Sequence, residues 1–218
     1  MNTCSLQTVL EQKLCKGCKM RIDGIFPVPF LYDFLGIDNQ QLVDYSYNLK
    51  KLNPGVQRDG GWQSEWLDLD ASELQPLVTI IKQKMSETAT NLYQFRDDFT
   101  IELTNGWINI NEPNGEQLNN NYYHMHGPYF LSMVYYVKTP KDCGKLNLVP
   151  PHGFLDYTIP EQIISNLNPF NSQRYQVEPV EGKLVAFPGW ITHFANINKS
   201  EEDRISIAFN GMLERKGK

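Results

Sequence analysis

Residues 99–212 change period with almost every turn of the chain, and this limits the fold more than any other feature. Runs rich in β-branched, aromatic and aliphatic residues occupy 99–103, 107–111, 122–126, 131–138, 145–149, 175–178, 183–187, 192–196 and 204–209, with Gly, Pro, Asn and Asp between them. About eight short strands joined by turns, with little helical periodicity between them, predict a double-sheet jelly roll. The longer insert 154–174 contains Pro160-Glu-Gln-Ile-Ile164 and is expected to hold one helical turn.

Upstream the period is helical. Leu6, Val9, Leu10 and Leu14 form a short amphipathic stripe. Asp38 is placed to cap a helix carrying Leu42, Tyr45, Leu49 and Leu52, which Asn53-Pro54-Gly55 ends. A second helix is predicted over 72–95 from Leu74, Leu77, Val78, Ile81, Met85, Ala89 and Leu92, with Pro76 tolerated in its first turn. Pro27 and Pro29 suit an extended edge segment. Arg58-Asp-Gly-Gly-Trp-Gln-Ser64 reads as a tight turn, with Trp62 either packed beneath it or closing over a ligand. The expected architecture is one mostly β domain over 1–218, with a helical and extended support (1–98) around a 99–212 core.

Composition narrows the function. A net charge of -5 argues against general affinity for a nucleic-acid backbone, and no apolar run reaches the roughly 20 residues of a membrane span. With no basic, apolar leader at the start, a cytoplasmic protein is expected. Cys4, Cys15, Cys18 and Cys143 are too sparse for a disulfide scaffold. Cys15-Lys-Gly-Cys18, with Cys4, supplies three of the four thiolates of a structural zinc site, and free thiols are the simpler reading.

Four histidines remain, and three of them form a pattern. His124 and His126 are two apart in an extended stretch and project to the same face, and His193 follows a strand and a Pro-Gly turn far downstream. A pair on one strand plus a distant third matches a facial metal site with open positions. Eleven residues beyond His193, Arg204 and Ser206 share a strand face, where a guanidinium fork and a hydroxyl would receive a small dicarboxylate.

These pieces resemble, in order and spacing, the double-stranded β-helix (a cupin-like jelly roll) of the 2-oxoglutarate and Fe(II)-dependent dioxygenases. The matching segments are Trp107-Ile-Asn-Ile-Asn111, His124-Met-His126, Leu131-Ser-Met-Val-Tyr-Tyr-Val137, Gly144-Lys-Leu-Asn-Leu-Val-Pro150, Glu181-Gly-Lys-Leu-Val-Ala-Phe-Pro188, His193 and Arg204-Ile-Ser-Ile-Ala-Phe-Asn210. Within that superfamily the chain is similar to the prolyl-hydroxylase-like group, and more closely to oxygenases of marine bacteria and their phages, with Ile25-Phe-Pro-Val-Pro29 and Gly60-Gly-Trp-Gln-Ser64 extending the likeness.

The resemblance implies that His124, His126 and His193 hold iron. It also implies that Arg204, Ser206 and Tyr136 bind 2-oxoglutarate, with Asn109 nearby, and that O2 and an unidentified acceptor complete a hydroxylation yielding succinate and CO2. The acceptor would be a small molecule or a protein side chain, and self-association is left open. For Tyr136, core packing is the competing reading. His126 stands where the superfamily usually has Asp or Glu, and a distant carboxylate such as Asp156 could replace one histidine. Two alternatives stand beside this one: a noncatalytic metal-binding jelly roll, and a three-histidine dioxygenase that does not use 2-oxoglutarate.

Overall fold

A computed structural model describes residues 27–53, 55–58, 60–114, 123–151, 161–166, 168 and 171–217. The predicted helix over 5–14, the three N-terminal cysteines, His152 and Asp156 lie outside the described residues.

The elements run β1 (Leu31–Phe34), α1 (Asn39–Leu52), β2 (Val56–Arg58), β3 (Gly61–Gln63), α2 (Gln75–Glu87), β4 (Phe99–Asn111), β5 (Leu131–Lys138), β6 (Leu146–Leu148), β7 (Tyr175–Val177), β8 (Lys183–Pro188), β9 (His193–Ala195) and β10 (Arg204–Arg215). A seven-stranded sheet in the order β1-β8-β5-β10-β4-β3-β2 faces a three-stranded sheet in the order β7-β6-β9, forming the jelly roll. Every pairing is antiparallel.

The helices begin where their caps dictate. The Asp38 carboxylate accepts from the Gln40 amide at 3.0 Å, and Lys50 and Lys51 occupy the last turn of α1, where the helix dipole favours cations. Leu42 is buried, but Leu52 is 79% exposed, so the apolar stripe stops one turn before the helix does. α2 is shorter than its sequence pattern. After Glu87 the chain widens into a π turn over Thr88–Leu92, which rotates the following side chains off the stripe and leaves Leu92 43% exposed.

Two expected strands, 99–103 and 107–111, are one. Asn210 pairs with Asn105 and Gly211 with Leu103, so Thr104 is the extra residue of a β-bulge that absorbs the turn-like Thr-Asn-Gly sequence without breaking β4. Residues 123–126 make only a single bridge, His124 to His193, rather than a full strand. The predicted turn around Gly60 is the β2–β3 hairpin, which pairs with β4, and Trp62 is buried beneath it.

Period-two alternation divides the large sheet. Ile205, Ile207 and Phe209 of β10 pack with Ile108, Ile110, Met133 and Tyr135 against Leu77, Val78, Ile81 and Met85 of α2. Arg204, Ser206, Ala208 and Asn210, the intervening residues, line the cleft on the opposite face. A second apolar cluster containing Tyr136, Leu146, Leu148, Val185, Phe187 and Ile191 holds the two sheets together.

Candidate active site

Main-chain bonds bring the three histidines to one place. The His124 amide donates to the His193 carbonyl at 3.1 Å and the His193 amide to the His124 carbonyl at 2.9 Å, while the His126 amide donates to Gly189 at 2.8 Å. The ring centroids lie 5.2 Å (His124–His126), 4.3 Å (His124–His193) and 4.8 Å (His126–His193) apart. One ring nitrogen from each falls within 4.8 Å of the other two, close enough for a single metal ion.

Two of the rings are fixed from behind. His193 Nδ1 donates to the Ile191 carbonyl at 2.9 Å, leaving the Nε2 lone pair free, and the ring rests against Phe187. His126 Nδ1 lies 2.7 Å from Asn210 Oδ1 and 2.8 Å from Ser132 Oγ, so its Nδ1 edge is also taken up by protein. Burial holds His193 down to about 3, helped by the neighbouring His124, and lowers His126 against the opposing pull of its Asn210 bond. Both are therefore neutral at pH 7, the form in which imidazole coordinates metal.

Strand register builds the rest of the cleft rung by rung. Ser206 of β10 is opposite Asn109 of β4 and Tyr136 of β5, and Arg204 is opposite Asn111. Arg204 Nη1 donates to the Gly144 carbonyl at 2.8 Å and the Cys143 carbonyl at 3.3 Å, and Nη2 to Asn111 Oδ1 at 2.8 Å. Gly144 permits this approach: its φ is +89°, and a side chain there would strike the Asn196 carbonyl. Arg204 Nε and the Tyr136 hydroxyl are buried with no hydrogen-bond partner among the described residues. Burial pushes the Tyr136 phenol up to about 12 although the Arg204 charge opposes the shift, so the hydroxyl keeps its proton and can donate.

The cleft encloses about 880 Å³. Trp107 packs 5.3 Å from the His126 ring and edge-on, 5.6 Å, to Trp66, which is 65% exposed.

Comparison with known proteins decides the family. Residues 105–210, the span that carries the three histidines, Arg204 and Tyr136, match the family model described as "Putative 2OG-Fe(II) oxygenase". That span is a 2-oxoglutarate and Fe(II)-dependent oxygenase core. No sequence relative among curated proteins matches it.

Solved structures share the oxygenase's fold. A prolyl-4-hydroxylase from Pseudomonas putida aligns with a TM-score of 0.55 at 14% identity, over 84% of this chain and 92% of that one. A prolyl hydroxylase from Trichoplax adhaerens, in complex with a hypoxia inducible factor peptide fragment, gives 0.58 at 15% identity over 84% and 83%. A viral collagen prolyl hydroxylase from Paramecium Bursaria Chlorella virus-1, in complex with 2OG, gives 0.52 at 9% identity over 84% and 94%.

The oxygenase's own residues fit the groups its family uses. Three convergent imidazoles suit a divalent transition metal, and two buried donors without partners among the described residues suit a carboxylate. His124, His126, His193, Arg204, Ser206, Tyr136 and Asn109 all line the same cleft. Among the described residues no Asp or Glu joins the three-histidine group.

Sequence reasoning passes over Asn111, which holds Arg204, and over the Asn210–Ser132 pair behind His126. Asn210 is six residues after Arg204, on the same face by period two. That spacing is the only trace of it in one dimension.

Proposed function

We propose that His124, His126 and His193 hold Fe(II), and that Arg204, Tyr136 and Ser206 receive 2-oxoglutarate. The observation carrying this reading is the pairing, in one cleft, of a convergent nitrogen triad with two buried, partnerless donors on neighbouring rungs of β10 and β5. When bound, iron and 2-oxoglutarate would let O2 act as the oxidant, one of its oxygen atoms going to succinate as 2-oxoglutarate loses CO2 and the other to the hydroxylated C–H bond. The chain orients them. The neutral rings present lone pairs, Arg204 Nε and the Tyr136 hydroxyl donate to one carboxylate, and the apolar wall of Val134, Leu146 and Ala208 excludes water.

The acceptor enters beside Trp107 and the exposed Trp66, where an aromatic lip suits an apolar portion of a small molecule or a protein side chain. Packing of α2 against the large sheet supports a single domain in which 1–98 supports 99–212. A cytoplasmic location, in a host cell if the gene is a phage's, agrees with the described residues holding no helix long and apolar enough to cross a membrane. The net charge of -5 supports a non-nucleic-acid acceptor. Self-association is a further proposal, to be read from the mass in solution.

Anaerobic titration with Fe(II) and then 2-oxoglutarate, followed by admission of O2 and a succinate assay, tests the reading. One iron per chain, 2-oxoglutarate binding that needs iron, and succinate formation are expected. Stoichiometric iron binding by His193→Ala would remove His193 from the triad, and undiminished 2-oxoglutarate binding by Arg204→Ala would remove the cosubstrate site.

A further inference from the structure

We propose that Asn210 is a positioning residue for His126: backed by Ser132, Asn105 and Tyr129, its side-chain carbonyl holds His126 in the Nδ1–H tautomer and leaves Nε2 to the histidine cluster. The inference rests on the reading of His126 as a metal donor.

Asn210, Ser132 and Asn105 form one rung of the large sheet, Asn210 being opposite Ser132 on β5 and Asn105 on β4. All three are buried. The next rung toward Arg204 has Ala208 opposite Val134, so the sheet could be apolar here, yet it carries two amides and a hydroxyl. Buried polar groups are tolerated when satisfied, and these satisfy one another in sequence. Tyr129 Oη accepts from Asn105 Nδ2 at 2.6 Å, and Asn105 Oδ1 accepts from Asn210 Nδ2 at 3.1 Å. That direction leaves Asn210 Oδ1 as an acceptor facing His126 at 2.7 Å and Ser132 at 2.9 Å.

An acceptor 2.7 Å from Nδ1 requires a proton on Nδ1. The Ser132 hydroxyl donates to Asn210 Oδ1, and its own lone pair shares the His126 proton at 2.8 Å. A concerted flip of both amides would present an N–H to Nδ1, move the imidazole proton to Nε2 and disable His126 as a donor. The two directions of the relay thus make opposite statements about one proton. An amide in this role orients the ring without adding charge, where the usual carboxylate partner of a metal-bound histidine would.

The test reads the tautomer directly. Protein labelled with 15N-histidine is examined by long-range 1H–15N correlation, metal-free at pH 7.5, as wild type, Asn210→Leu and Asn210→Asp. Fe(II) affinity is measured anaerobically against a competing chelator. Expected are a single Nδ1–H tautomer at His126 in the wild type, its loss in Asn210→Leu with roughly 10–100-fold weaker Fe(II) binding, and recovery of both in Asn210→Asp, which keeps the acceptor. An Nε2–H tautomer in the wild type would overturn the proposal, and so would wild-type affinity in Asn210→Leu. If Asn210→Leu does not fold, the wild-type spectrum and Ser132→Ala, expected to weaken Fe(II) binding less while keeping the tautomer, still decide. Full iron binding by His126→Ala would instead defeat the donor reading, leaving the relay to be judged on the wild-type tautomer alone.

Discussion

His124 and His193 hydrogen-bond to each other through both of their backbone amides, at 3.1 and 2.9 Å. The backbones that carry two of the three rings are therefore locked together, and a metal bound there would tie the 123–130 segment to β9. A ligand that binds only the folded state stabilises it by about 2.7 kcal/mol at a hundredfold excess over Kd. Anaerobic Fe(II) is expected to raise the thermal midpoint by several degrees, and the rise should vanish in His193→Ala. An equal rise in that variant would show that metal binds elsewhere.

Tyr136→Phe should separate packing from cosubstrate binding. The phenol oxygen is buried without a partner among the described residues, so removing it leaves the metal-free protein as stable as before or more so. If the hydroxyl donates to 2-oxoglutarate, the same change weakens cosubstrate binding by about 0.5–1.5 kcal/mol, roughly 2- to 12-fold. Calorimetric titration beside urea unfolding measures both, and unchanged affinity would return Tyr136 to the core.

Acid should destabilise the metal-free protein through His193. Its folded-state value of about 3 lies below the 6.5 of an unfolded histidine. Above pH 6.5 neither state carries the proton and the stability is fully present. Below 6.5 the unfolded chain binds a proton that the folded one refuses, and stability falls until pH reaches about 3. The urea midpoint should be lower at pH 5 than at pH 7.5, and the difference should shrink in His193→Gln.

Gly189→Ala should damage the site without touching a histidine. A methyl group there would run into the Tyr129 carbonyl and lie 3.3 Å from that of His126. Gly189 also accepts from the His126 amide and donates to Phe130. Backbone cannot yield as a flexible side chain would, so the loop carrying His126 must shift. At least a tenfold loss of Fe(II) affinity is expected, an estimate taken from the low end of losses when ligand supports are removed. Wild-type affinity would show that the loop relaxes freely.

The strands and the triad were legible because their signals are local. A spacing of two puts His124 and His126 on one face, and the same rule aligns Arg204 with Ser206. What escaped depends on partners far apart in sequence. Thr104-Asn-Gly looks like a turn, and only pairing with β10 turns it into a bulge within β4. The stripe that ends at Leu92 looks helical throughout, and only the π turn carries Leu92 outward. Two of the three partners of Arg204 are backbone carbonyls, of Cys143 and Gly144, which no side-chain pattern encodes.

Because all three convergent donors are imidazoles, which ligate without adding charge, a bound divalent ion would keep its full charge, with the Arg204 guanidinium in the same cleft. A dianion would balance part of that excess, and a monoanion of the same shape would balance less. In a chain of net charge -5 the cleft is then a local positive well within a negative envelope, so cosubstrate capture should weaken as salt screens the well.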